Sequence, residues 1–377
     1  MKPLSLAMTM VLAILPLSVV YAAPEIYGKA FVTTDYIDTN IEANSQQKRF
    51  GHDGRDTLQI NSNFSRLGLR GSETLTDTTD LIYRLEYGTQ IDGSDGVTLS
   101  SRDTYLGIDN QRFGEFRIGR NTSVLGYAYG PMLARAYWDN LGSTMLASNN
   151  IVSALNMLDY TRKDNSIVWI SPQFESLPLD MVMQYATNEE SDNRDAGVGA
   201  YAKYSSKAGI NTSIALSHDI EANGSINAQD FVTDKNVDGQ VDYGGDVIRG
   251  TVTLDMNHYI DMDAPIQLGA VYQRANYDFD GASTEEGVIV SANMDIQPFT
   301  NPASLYIQYN QTDNLNGIRH NESKQIVLGG EYEFKGNIIG HAYIGRNSTD
   351  YTNPMSDTRD AAHIKVVAAG GGLEYLF

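Results

Sequence analysis

From Glu25 to the carboxy terminus, apolar residues recur with a period of two. Val288, Val290, Ala292, Met294 and Ile296 alternate with Ile289, Ser291, Asn293, Asp295 and Gln297. Ile326, Leu328, Gly330, Tyr332 and Phe334 alternate with Gln325, Val327, Gly329, Glu331 and Glu333. Leu81, Tyr83, Leu85 and Tyr87 alternate with Ile82, Arg84, Glu86 and Gly88. A period of two sends successive side chains to opposite faces of a strand, so the chain is a series of amphipathic strands. In a soluble sandwich the apolar face is the core. Here the other face carries charge too often for a packed interior. The apolar face also ends in aromatic residues beside turns (Trp169, Tyr332, Phe334, Tyr375, Phe377), which suit a membrane interface. An outward apolar band around a wet lumen satisfies both observations.

The amino terminus differs. Lys2 is followed by an apolar stretch from Leu4 to Val20 broken only by scattered Ser and Thr, then by Ala22 and Ala23. This pattern predicts a secretory signal peptide over 1–22, cleaved after Ala22, with Val20 and Ala22 at the two small-residue positions. After residue 22 no apolar run approaches the length of a spanning helix, so any membrane span is made of strands.

Connection lengths sharpen the barrel expectation for residues 23–377. Short links fall at 74–79, 110–114, 171–177, 206–209, 259–264, 298–301 and 335–337. Longer polar links lie between them, at 38–55, 92–97, 121–156, 188–195, 221–244, 280–283, 313–321 and 351–361. Short periplasmic turns alternating with longer external loops predict an all-β transmembrane antiparallel barrel of about sixteen strands, wide enough for an aqueous channel. Composition agrees. A mean hydropathy of −0.32 is low for a helical membrane protein but natural where half of each strand faces water. A net charge of −20 excludes a basic nucleic-acid binder. Without cysteine there is no disulfide framework and no thiolate metal site or nucleophile.

Several segments together resemble the trimeric general porins of Gram-negative outer membranes. They are Glu25-Ile26-Tyr27-Gly28-Lys29-Ala30, Ser65-Arg66-Leu67-Gly68-Leu69-Arg70-Gly71-Ser72-Glu73, Arg117-Ile118-Gly119-Arg120-Asn121, Asp164-Asn165-Ser166-Ile167 and Ser171-Pro172-Gln173-Phe174. The terminal Leu373-Glu374-Tyr375-Leu376-Phe377 resembles the signal read by the barrel-assembly machinery, with Tyr375 and Phe377 carrying it. The resemblance covers essentially all of residues 23–377. It implies a homotrimer in contact with outer-membrane lipid and lipopolysaccharide, with no cofactor required.

The resemblance also implies that the long third loop, 121–156, folds into the lumen and narrows it. That loop carries Tyr127, Tyr129, Arg135, Tyr137, Trp138 and Asp139. The family sets a basic ladder on the opposite wall, and Lys29, Arg66, Arg70 and Arg162 fall on those positions. Alternation adds Arg84 and Arg117 as inward residues, while Arg102 comes out facing outward unless a bulge intervenes. The enteric pattern has several loop carboxylates; here Asp139 stands alone and Arg135 offsets it. The expectation is an eyelet of net positive charge with a mild anion preference, for ions and small hydrophilic solutes. The alternative is a sugar- or oligosaccharide-selective porin using the loop aromatics.

Arg120 comes out facing outward, where the resemblance implies a trimer contact with an acidic loop of a neighbouring subunit. The acidic external loop 221–244 contains Asp234, Asn236, Asp238 and Asp242 at calcium-loop spacing, with Gly239 at the sharp turn, but position twelve is Gly245 and not Glu. Structural calcium and a plain acidic turn both remain open. No phosphate loop, serine elbow or zinc-spaced His pair is present, so no enzyme is expected.

Overall fold

The computed structural model describes residues 23–43, 57–93, 99–139, 155–174, 177–187, 196–222, 224–227, 240–261, 264–297, 299–352 and 361–377. The chain runs as consecutive strands: β1 (Glu25–Ala43), β2 (Thr57–Ser62 continued by Arg66–Thr76), β3 (Thr79–Gly88) and β4 (Ser100–Asn110). Next come β5 (Gly114–Thr122), β6 (Arg162–Ile170), β7 (Leu179–Ala186), β8 (Gly197–Ser205) and β9 (Ile210–His218). The series ends with β10 (Gly245–Asp255), β11 (Ile266–Tyr277), β12 (Glu285–Asp295), β13 (Ala303–Asp313), β14 (Glu322–Lys335), β15 (Ile338–Thr352) and β16 (Ala361–Leu376).

Each strand pairs antiparallel with its sequence neighbours in one sheet of 17 hydrogen-bonded segments. Two of those segments are the halves of β2, so the sheet has 17 − 1 = 16 crossings. The break in β2 is local: Phe64 has φ 52°, and the Ser65 hydroxyl accepts from the Phe31 amide at 3.0 Å. Both halves then pair with β1, Val32–Ile37 taking the first and Glu25–Lys29 the second. The sheet closes through β1 and β16, in register from Lys29 opposite Leu376 to Ala43 opposite Ala362. The last residue completes the seam, because the Gly28 amide donates to the Phe377 carbonyl at 2.7 Å. Closure removes every unpaired sheet edge, which is what a strand-built membrane span requires.

Alternation sorts the two faces as expected. Ile326 and Leu328 are 47% and 53% exposed on the outside, while Gln325 and Val327 between and beside them are 1% exposed. Aromatic residues cluster at the outer periplasmic rim: Tyr332 lies 5.8 Å from Phe299 and 5.0 Å from Phe334, and Tyr375 lies 5.7 Å from Phe377. A separate short hairpin, Gly224–Asn227 with Gln240–Tyr243, stands in the external loop after β9.

The buried apolar residues do not form one central core. Most of them fall into three clusters, each joining side chains from 124–138 or 155–157 to inward wall residues. Ile289 and Val327, apolar residues in an otherwise polar register, belong to these clusters.

The outward band predicts a position-specific cost. Leu328→Arg should destabilise the barrel by about 2–4 kcal/mol if it lies near mid-bilayer, whereas an inward change such as Asn310→Ser should cost far less. Urea titration of the protein refolded in lipid vesicles measures the difference.

Candidate functional site: the inner wall and the segment packed on it

The inner face of β2 to β6 gathers five guanidinium groups around three carboxylates. Arg66 Nε lies 3.6 Å and Arg102 Nε 2.6 Å from Glu86, which also accepts from the Tyr27 hydroxyl at 3.0 Å. Arg84 lies 3.8 Å and Arg162 3.2 Å from Asp103. Arg117 pairs with Glu115 and stacks on Tyr105, its guanidinium carbon 4.6 Å from the ring centroid. Arg102, expected outside, is inside. The β3–β4 register slips between Leu85 opposite Thr104 and Tyr87 opposite Ser101, and this bulge turns Arg102 toward the lumen beside Asp103, which shares the inward register of Tyr105.

The other residues singled out in the sequence occupy distinct places. Arg70 sits at the rim, paired with Glu25 at 2.6 Å, and both are well exposed. Lys29 lies 3.5 Å from Glu374 in a chain of side chains that continues through His341 (3.4 Å) to Glu331 (3.5 Å) and then to Arg135 of the third loop (3.8 Å). Asp139, the one acidic residue expected on the loop, accepts from Tyr129 within the same loop at 2.6 Å. Burial, with Asp139 beside it, holds the Tyr129 hydroxyl well above its ordinary pKa, so Tyr129 remains a donor. Arg120 reaches Asp164 of the same chain at 2.7 Å. Asp234, Asn236 and Asp238 lie outside the described residues; Asp242 stands in the backbone of the external hairpin opposite Ser225.

The described parts of 121–156 are held firmly. A 3₁₀ turn at Val124–Tyr127 and another at Ala136–Trp138 bracket the segment. Trp138 is 1% exposed, and its Nε1 donates to the Ala368 carbonyl at 3.1 Å. Its ring fills a recess that exists because position 345 is glycine: a Cβ there would come within 2.6 Å of the indole. Gly287 does the same for Met157, again at 2.6 Å. Gln308 accepts from the Leu133 and Ala134 amides at 2.5 and 2.9 Å. Tyr137 packs edge-on against Trp138 at 5.1 Å, and burial pushes its hydroxyl pKa up.

The strongest single anchor was not singled out in the sequence. Arg249 of β10 is fully buried, and its guanidinium touches both limbs of the segment. It pairs with Asp159 at 3.3 Å, donates to the Leu125 carbonyl at 3.2 Å and to the Leu158 carbonyl at 3.1 Å, and donates through Nε to Gln273 at 2.7 Å. Glu285 accepts from the Leu158 amide at 2.8 Å. Glu221 lies nearby, hydrogen-bonded by Ser217, and burial raises its pKa. A sequence clue exists: Arg249 occupies a lumen-facing register between Ile248 and Gly250 on the strand facing the returning limb, but alternation alone gives no depth.

A family description of Gram-negative porins matches residues 7–352. The chain belongs to the Gram-negative porin family. It is an outer-membrane protein. An outer membrane porin protein of Bordetella pertussis is 24% identical over 178 residues, which covers 46% of this chain and 44% of that protein. The match thus spans less than half the length of that relative. Among solved structures, the anion-selective porin from Comamonas acidovorans superposes with a TM-score of 0.65 at 16% identity, covering 94% of this chain and 99% of that one. The trimer form of Vibrio cholerae OmpT gives 0.60 at 15% identity, covering 94% and 99%. At such identities the likeness establishes the shared barrel fold.

The Arg249 anchor makes a testable statement about this porin. Arg249→Met leaves Asp159 buried without its cation, a change that costs about 3–5 kcal/mol. With Trp169→Phe as background, Trp138 is the sole indole, and its emission should shift red at a lower denaturant concentration than in the parent.

Proposed function

We propose that the chain forms a water-filled channel for passive diffusion of ions and small hydrophilic solutes, narrowed by residues 121–156 and mildly selective for anions. The observation that carries the selectivity is the charge count on the wall of β2 to β6. At the height of the ion pairs, Arg66, Arg84, Arg102, Arg117 and Arg162 share Glu86, Asp103 and Glu115, five cations to three anions, while Asp80 and Asp109 follow Glu115 nearer the periplasmic turns. A modest excess in a confined lumen biases ion passage without creating a deep trap. The anion-selective title of the Comamonas porin is consistent with this sign.

The family and fold point to a channel and not an enzyme. The sugar-selective alternative loses support from packing: Tyr137 and Trp138 are buried against the wall, so their faces are not offered to a passing ring. A homotrimer is the proposed assembly, in line with the trimer form of OmpT. In that assembly the outward Arg120–Asp164 pair, with Asp164 65% exposed, is the feature placed to meet a neighbouring subunit. Export with cleavage after Ala22 and reading of Tyr375 and Phe377 by the assembly machinery belong to the same proposal, and 221–244 is read as a plain acidic turn with bound calcium as its alternative.

Planar-bilayer recording tests the channel and its sign together. Three-step closure and a reversal potential favouring chloride in a potassium chloride gradient are expected; clear cation selectivity overturns the anion preference. Replacing Arg84 and Arg162 together by glutamine should move the reversal potential toward cations, and maltose should leave the ion current without saturable block.

A further inference from the structure

Among the described histidines only His341, on the inner face of β15, is buried, with its side chain 3% exposed. Its ring lies between two carboxylates. Nδ1 is 3.5 Å from Glu331 on β14, and Nε2 is 3.4 Å from Glu374 on β16. The register sets this up: Glu331 stands opposite His341 on one side, and Glu374 is two residues beyond Gly372, which stands opposite it on the other. Phe31 of β1 covers the ring, with centroids 4.6 Å apart. Neither ring nitrogen reaches solvent or has another hydrogen-bond partner among the described residues.

Each carboxylate also meets a cation. Glu374 lies 3.5 Å from Lys29 of β1, and Glu331 lies 3.8 Å from Arg135 of the third loop. The Arg135 and Glu331 side chains are partly exposed, so this end of the cluster lines the open lumen. Tyr306 of β13 faces Glu331 and Arg135, Arg66 of β2 faces Lys29, and Tyr343, two residues along β15, donates to Asp35. A neutral imidazole has one N–H and serves one of the two carboxylates, presenting a lone pair to the other; an imidazolium donates to both. The charge of the cluster changes with the ring. Lys29 and Arg135 against Glu331 and Glu374 sum to zero, and a protonated His341 makes the sum +1. Glu331 is then divided between the ring and Arg135, and the guanidinium shows more of its charge to the lumen.

We propose that His341 is a selectivity-determining residue of the channel, raising the anion preference of the pore when its ring takes up a proton and relaxing it when the proton leaves. The inference rests on the channel reading given above. His341 does not line the path; it is a positioning residue that acts through Glu331 and Arg135. Histidine is the side chain that changes charge over the pH range an outer membrane meets, so the wall on this side becomes more cationic in mild acid while the barrel itself is unchanged.

Reversal potentials in a potassium chloride gradient, recorded in planar bilayers near pH 8 and near pH 5.5, test the role. The anion-over-cation permeability ratio of the parent should rise about twofold on acidification. His341→Asn should keep one ratio at both pH values. Glu331→Gln, which removes the anion on the lumen side, should match or exceed the acid ratio of the parent at both. A parent ratio that ignores pH, or a His341→Asn variant that keeps the shift, overturns the proposal. Histidine ¹³C NMR of the protein in detergent micelles needs no current. One resonance of the six histidines, missing in His341→Asn, should move over the pH interval in which selectivity changes. A His341 resonance that stays fixed across that interval also overturns the proposal. A chain that opens no pore sinks the channel reading and this inference with it, whereas a conducting, anion-selective pore without the pH shift sinks the inference alone.

Discussion

Everything in this molecule depends on pairing each backbone amide and carbonyl inside the sheet. In hydrocarbon no water is available to satisfy an open edge, so the strands must close on themselves. The seam between β1 and β16 does this over a long register, and the terminal Phe377 is part of it. Once closure is imposed, the remaining freedom is which side chains face lipid, which face water, and what fills the space within.

Part of that space is taken up by an unusual kind of core. Apolar residues that a soluble sandwich would bury between two sheets are here divided among three clusters between the inner wall and the third loop. The wall is adapted to receive the loop: glycine at 345 and 287 makes room for Trp138 and Met157, and Gln308 answers two loop amides. At the root, Arg249 joins the outgoing and returning limbs through carbonyl groups and Asp159. A buried arginine is tolerated here because its donors are matched by fixed acceptors; an apolar side chain at 249 would leave Asp159 stranded.

Much of this was legible in the sequence. Period two, the short and long connections, and the terminal aromatic motif led to the barrel and its strand number, since each follows from backbone geometry and needs no partner to be known. The site was legible only in part. Arg66, Arg84, Arg117 and Arg162 could be put inside by alternation, but their carboxylate partners depend on register. One bulge between Leu85 and Tyr87 was enough to bring Arg102 inward beside Asp103. Arg249 was hidden because parity says which face a side chain takes and not what covers it. Ile289 and Val327 did carry a signal, as apolar residues on a wet face mark where another segment lies.

The sharing of three carboxylates among five guanidinium groups bears on how long an ion stays. Each arginine already has part of its demand met, by Glu86, Asp103 or Glu115, before any solute arrives. An entering anion therefore exchanges one set of contacts for another and gains little at any one step. In the proposed channel this sharing would flatten the energy profile along the wall, so that an anion is handed from one guanidinium to the next with short residence at each.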